Sequence, residues 1–236
     1  ILQAFPLLIT GAVWISWRQV FFRLALLGLA LMTLASLLFT QIRGAWISLG
    51  AVSLLMVLMT RVQRKHKLWF ALVMILLAGA VFLFQPKLQN SLLEGATLQA
   101  QSVSERLLMW KSAKNMFLDH PGLGIGLGNF GDLYERNYIL PEAKEGRHPH
   151  PHSIYLQTLA EAGIFGFIAF AALWGYALRR VTHNALQADA DFWQKAVPFS
   201  ILGFLLYGLT DNLIYHFPAG FQFCWFLIGA SWRIKE

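Results

Sequence analysis

The chain is poor in charge and almost without cysteine. Lys, Arg, Asp and Glu make up only 13% of its 236 residues, against the ~25% usual in a soluble domain. That shortage excludes an ordinary water-soluble globule. The single cysteine, Cys224, excludes an internal disulfide and a cysteine-based metal site, and its apolar setting suits packing. No period-2 alternation of apolar and polar residues runs through the chain, so a transmembrane barrel is excluded. Ile1–Trp17 has neither a basic stretch nor a small-x-small cleavage site, so no cleavable signal peptide is expected. The chain opens on Ile1 rather than Met, and reads as the C-terminal part of a longer protein.

What is present is apolar. Hydrophobic residues make up 57% of the chain and the mean hydropathy is +0.53, the balance of an integral membrane protein. Apolar runs near the ~20-residue bilayer length occur at 3–16, 21–40, 45–60, 68–84, 154–177, 196–214 and 218–232. The expected fold class is an all-α integral membrane protein, a polytopic helix bundle with about seven transmembrane helices. Residues 1–84 hold four of them and residues 153–236 the other three. Residues 85–152 form a polar loop between the two sets.

The net charge of +7 is concentrated in short loops and helix ends. The 85–152 insert carries seven basic residues against seven acidic ones and is neutral. This distribution argues against nucleic acid and for membrane topology. Arg61, Arg64, Lys65 and Lys67 mark a cytoplasmic turn under the positive-inside rule. Alternation then sends Arg18/Arg23, Arg179/Arg180 and Arg233/Lys235 to the same side. The insert, the Thr40–Gly44 turn and the Asp211–Phe217 turn fall on the outer face.

Within the insert, Ser102-Val-Ser-Glu105 has the form of a capping box. It predicts a helix over about 102–118, ending before His120-Pro121-Gly122. One face of that helix would carry Val103, Met109, Trp110, Ala113, Met116 and Phe117, with Arg106 in its middle. Such a helix would lie along the membrane interface. Gly126 to Gly131 fits G-x-G-x-x-G, but no strand or βαβ unit accompanies it, so the dinucleotide reading is discarded. Glycines this dense suit either a loop packed on a helix or one offering N–H groups to a phosphate. Leu133 to Arg147 reads as an irregular, charged, mobile segment.

Several residues are candidates for chemistry. Arg43 opens the third apolar run on the outer side, against the charge bias; it either snorkels to the interface or meets an anion. Arg106 either packs its stem with its head in water or points at a bound anion. Two outer-face arginines suit a pyrophosphate, which guanidinium groups grip bidentately. His148-Pro-His150-Pro-His152 admits three readings. A zinc site lacks further ligands nearby, and the extended x-Pro-x spacing projects the rings alternately. A solvated loop is the second. A general base is the third; it fits His152 best, because that residue abuts a membrane helix and a neutral imidazole can take a proton. His148 and His150 read as farther out and less constrained. Asp211 and Asn212, with Tyr215 and His216 beyond, either cap a helix end or orient a sugar or a histidine.

Arg43-Gly-Ala opening a helix, Arg106-x-x-x-Trp110, His120-Pro-Gly-Leu-Gly-Ile-Gly, and His152-Ser-x-Tyr-Leu-Gln followed by Glu161-x-Gly163 together resemble the O-antigen ligase family, the WaaL/Wzy group. The resemblance implies a GT-C-like, multi-pass glycosyltransferase of the bacterial inner membrane with its site facing the periplasm. The donor would be a glycan on undecaprenyl pyrophosphate, and the acceptor a hydroxyl of lipid A–core or another glycan. Arg43 and Arg106 would bind the pyrophosphate, and His152 would activate the acceptor. Transfer would invert the anomeric centre with no metal, nucleotide or other cofactor. Ser153 stands where the family often has asparagine, which keeps His150 as a reserve candidate; Trp110 and Asp211 are supporting positions. A Wzy-type polymerase and a protein O-oligosaccharyltransferase differ from the ligase only in acceptor. A membrane transporter is the non-enzyme alternative, but transporters hold ionisable groups near mid-membrane, and here polar groups gather at one face.

Overall fold

The computed structural model describes residues 3–14, 19–40, 42–59, 79, 97–144, 146–212, 214 and 218–232. All regular structure among these residues is helical. The first three helices are α1 (Ala4–Trp14), α2 (Val20–Thr40) and α3 (Arg43–Met59). The polar segment holds α4 (Thr97–Asp119) and the short α5 (Phe130–Leu133), which runs on into a π-helix (Tyr134–Tyr138). The last three are α6 (Ile154–Ala185), α7 (Phe192–Tyr207) and α8 (Pro218–Ala230).

Helix α7 is the hub, touching α1, α3, α6 and α8. One face joins Val197, Ile201 and Phe204 to Trp174, Val181, Leu227 and Ile228 in an aromatic-rich core. Its C-terminal Tyr207 enters a second core with Phe5, Leu34, Leu37 and Leu49 from α1, α2 and α3. A third core lies under the polar segment, where Met109, Ala113 and Met116 of α4 meet Phe130, Tyr134 and Ala160. The outward faces stay apolar: Phe21, Phe22, Leu31 and Met32 on α2 and Phe165 and Ile168 on α6 are exposed, as expected of surfaces facing lipid rather than water.

Helices stand at six of the seven predicted apolar runs; the 68–84 run lies outside the described residues except for Gly79. Two of them, over Val20–Leu37 and Ile154–Ala185, are long and apolar enough to cross a bilayer, and Gly44–Met59 and Pro218–Ala230 are shorter apolar helices. Among the described residues, two of the seven expected spans thus have the length and hydropathy of a bilayer crossing. The 196–214 run overshoots, because the chain turns at Gly208–Thr210, where N–H groups bond back to Phe204, Leu206 and Tyr207 carbonyls. Hydropathy cannot see such a turn when its residues are themselves apolar.

Helix α4 also differs from expectation. It begins at Thr97, upstream of Ser102, so Ser102 does not start it, and Glu105 instead accepts from the N–H of Lys144 (3.0 Å). Its buried stripe runs through Glu105, Leu108, Met109, Ser112, Ala113 and Met116, while Val103 is exposed. That stripe packs on α6. It is rotated from the predicted face because Glu105 and Ser112 find partners inside: Ser112 Oγ donates to the Tyr138 carbonyl (2.6 Å). Arg106 and Trp110 consequently sit on its flank. The 133–147 segment is not simply irregular either. It carries the π-helix and is pinned to α4 through Tyr138 and Lys144.

Candidate functional site

Helix α6 starts at a serine cap, Ser153 Oγ accepting from the N–H of Leu156 (3.4 Å). To reach that cap from the Pro149–Pro151 stretch the chain must turn sharply. His152 makes the turn with φ of 51°, a left-handed conformation that is costly for a residue with a Cβ. The N–H of Ile154 donates to the Gly208 carbonyl at the end of α7 (2.9 Å). The imidazole is thereby aimed at the Tyr207–Asp211 turn.

There, His152 Nδ1 lies 3.2 Å from Asp211 Oδ1. The other carboxylate oxygen accepts from Tyr207 OH (2.6 Å), and the Asn212 N–H donates to Oδ1 (2.8 Å). Burial opposes ionisation of Asp211. The hydrogen bonds from His152, Tyr207 and the Asn212 N–H, with the charge of His152, outweigh it and hold the carboxyl well below the usual carboxylate range. An ionised Asp211 is an acceptor only, so Nδ1 carries the proton and the lone pair of the neutral ring belongs to Nε2. A carboxylate orienting a histidine in this way prepares a general base. The side chains of His152 and Asp211 are 24% and 19% exposed, sheltered yet reachable. Asn212 is held in turn by its side-chain contact to Gln157 on the first turns of α6.

His150 departs from the expectation of an outlying loop residue: it is 1% exposed. Its Nδ1 accepts from the His152 N–H (3.2 Å), and its ring stands edge-on to His152 with centroids 4.5 Å apart. His148 is edge-on to His152 at 6.2 Å and to Tyr134 at 5.9 Å. The rings gather instead of alternating because the chain bends between Pro149 and His152, which an extended Pro-x-Pro pattern does not foresee. His150, His152 and Asp211 lie close enough to hold a metal ion. In this structure the Asp211 carboxylate accepts from three donors and His150 Nδ1 from one. The donor set thus forms a hydrogen-bonded relay, and Asp211 is also the further ligand atom that the sequence did not show beside the histidines.

Both arginine-bearing helices reach the same turn. Arg106 Nη1 donates to the Thr210 carbonyl (3.3 Å), and Trp110 Nε1 to the Pro151 carbonyl (2.8 Å). The described residues offer Arg106 no carboxylate partner. On α3, a Cβ at Gly44 would collide with Thr210 Oγ1 and come within 3.4 Å of the Tyr207 ring, so the Arg43–Gly44 start of α3 lies against the turn. The Arg43 side chain, Tyr215 and His216 lie outside the described residues.

Tyr207 carries no motif that singles it out. Its spacing of four from Asp211 at a helix end is the available signal, because i and i+4 share a face. Glu161 enters the sequence pattern only as part of a motif. It is buried, and its Oε1 accepts from the Phe130 N–H (3.2 Å).

The glycine run has a different task. At Gly163 the backbone leaves the helical region (φ 64°) and α6 breaks. The freed carbonyls of Ala160 and Glu161 accept from the N–H groups of Ile125 and Gly126 (both 2.9 Å). In return, the Ile164 and Phe165 N–H groups donate to the Pro121 and Gly122 carbonyls (2.8 and 3.4 Å). Any Cβ at Gly124 or Gly163 would strike the opposing backbone. Of the two uses glycine density allows, this is the packed loop, and the N–H groups of Gly124, Ile125, Gly126 and Asn129 are spent on protein carbonyls.

No curated protein matches the chain. The family profile described as O-antigen ligase matches residues 27–171, more than half of the sequence. The matched stretch runs from α2 through the first half of α6 and includes Arg43, Arg106, Trp110, His150 and His152. With that match added to a helical frame, a clasped glycine loop and a histidine turn, the chain belongs to the O-antigen ligase family.

Proposed function

We propose that the chain transfers a glycan from undecaprenyl pyrophosphate to an acceptor hydroxyl at the outer face of a bacterial inner membrane, with His152 as general base. The observation that supports this best is the His152–Asp211–Tyr207 relay standing beside Arg106. In the step envisaged, Nε2 of His152 takes the proton of the acceptor hydroxyl as its oxygen attacks the anomeric carbon. The bond from that carbon to the pyrophosphate breaks, and undecaprenyl pyrophosphate leaves with the electron pair. Attack opposite the leaving group inverts the anomeric centre. Arg106, with Arg43 as the second guanidinium, meets the negative charge growing on the pyrophosphate, where a fixed cation lowers the barrier most. Asp211 keeps the imidazole in the tautomer that can accept, and Trp110 steadies the turn through Pro151.

Acceptor identity separates ligase, polymerase and protein glycosylation, and lipid A–core is the acceptor we favour. The test is transfer of a labelled undecaprenyl-pyrophosphate glycan by the purified chain in detergent, with lipid A–core and a second donor molecule offered as competing acceptors. Labelled lipid A–core is the expected product. Elongated donor would make the chain a polymerase. Absence of transfer to any acceptor would remove the enzymatic reading and favour a transporter.

A further inference from the structure

Away from the histidine turn, the polar segment carries another concavity. A cavity of about 340 Å³ opens between the C-terminal half of α4 and the π-helix, within the ~300–1,000 Å³ range of small-ligand pockets. Asn115 and Asp119 line it from α4, Asn137 and Tyr138 from the π-helix, and Leu118 and Ile139 supply apolar wall. Its geometry is set from both sides: Tyr138 OH donates to Asp119 Oδ2 (2.8 Å) and Ser112 Oγ to the Tyr138 carbonyl (2.6 Å). A π-helix is an uncommon way to shape backbone and is found often at functional sites. Here it places Asn137 and Tyr138 on the cavity wall.

We infer that this cleft between α4 and the π-helix is a saccharide subsite, holding sugar residues of the transferred glycan at a distance from the bond being exchanged. The inference rests on the glycan-transfer reading above. Its chemistry is that of a neutral, hydroxyl-rich ligand. The amides of Asn115 and Asn137 each offer donors and an acceptor, and neither is spent on another described residue. The Asp119 carboxylate adds acceptor capacity, and the Tyr138 ring with Leu118 gives an apolar surface for a sugar's C–H face. No Lys, Arg or His among the described residues lines the cavity, and Asp119 sets a negative charge in it. The wall thus offers a phosphate no cation of its own, which separates this cleft from the arginine side of the site. Asn115 lies nine residues beyond Arg106 on the same helix, about 13–14 Å along its axis and about half a turn round it, so a chain of several sugars passing over the exposed side of α4, where Lys111 and Lys114 stand, would be needed to join the two.

The experiment uses the full chain in nanodiscs and, as probe, the free oligosaccharide released from the lipid-linked donor by mild acid, which carries neither lipid nor phosphate. Saturation-transfer NMR should show binding to the wild type and to His152→Ala. Asn115→Ala/Asn137→Ala should bind about tenfold more weakly or worse, the loss expected for two hydrogen-bonding groups. In the transfer assay the same double variant should raise KM for the donor by a similar factor with kcat little changed, the mark of binding made equally in ground and transition states. Both amides are exposed, so its melting temperature should match the wild type. Unchanged glycan binding and KM in the double variant would overturn the subsite and leave the transfer reading standing. Glycan binding that depends on both amides, in a protein that transfers nothing, would support the subsite and overturn the transfer reading.

Discussion

Two regions near the N-terminal end of α6 use polar groups in opposite ways. At Gly163 the broken helix and the glycine loop exchange four backbone hydrogen bonds, so polar capacity is spent on protein. At His152, just before the helix starts, side chains of Asp211 and Tyr207 and the Asn212 N–H build a relay around an imidazole that stays partly open to solvent. The glycine run has the pattern of a phosphate loop, whereas the histidine turn has that of a proline-punctuated linker. A glycine-rich signature says that backbone approaches something closely; it does not say that the something is a ligand. Chemistry sits where side chains face one another with one group still reachable.

That contrast is breakable by mutation. The largest effect should follow His152→Ala, which would cut transfer by ~10²–10⁴-fold, the range of a general base, while donor binding and the melting temperature change little. Loss of folding with this variant would put the histidine turn in the same structural class as the glycine clasp. Gly163→Ala should do the reverse. A Cβ there meets the Gly122 carbonyl at a φ of 64°, so thermal melts should show a loss of at least the ~1–3 kcal/mol that strained backbone costs. A melting curve like the wild type's would mean that the loop and the helix break are not coupled.

Tyr207→Phe comes next. It removes one donor to an ionised carboxylate, a bond worth about 1.5–3 kcal/mol, and should lower transfer less than His152→Ala does. A kcat equal to the wild type's would take Tyr207 out of the relay. The smallest effect is one of pH. Asp211 has its carboxyl held below the ordinary value of 3.8, so its contribution to stability is fully present above that value and is lost as pH falls through the lower folded-state value. The gap in melting temperature between wild type and Asp211→Asn should persist from neutral pH to about pH 5 and narrow only below about pH 4. A gap that closes already between pH 7 and 5 would show that Asp211 is not held ionised by its three donors.

Much of this is legible in the chain. Long apolar runs announce helices, one of them opening at Ile154 directly after the histidines. His152 and Asp211 stand out by position alone, one before a helix and one after. The features that escape a local pattern share a cause. The start of α4, its buried face and the burial of His150 each depend on partners distant in sequence or on a local bend. Glu105 is buried by Lys144, Ser112 by Tyr138, and His150 by a turn that the Pro-x-Pro pattern hides.

By itself, then, the sequence determined that this protein is helical, apolar outside and polar in one segment, because hydropathy and helix capping act over a few residues. Only the tertiary structure decided which polar residues meet. The His152–Asp211 pair joins positions 59 apart in sequence, and Arg106 reaches a carbonyl 104 residues away. Contacts of that kind follow from how α7 packs against its neighbours, and a local pattern carries no trace of them.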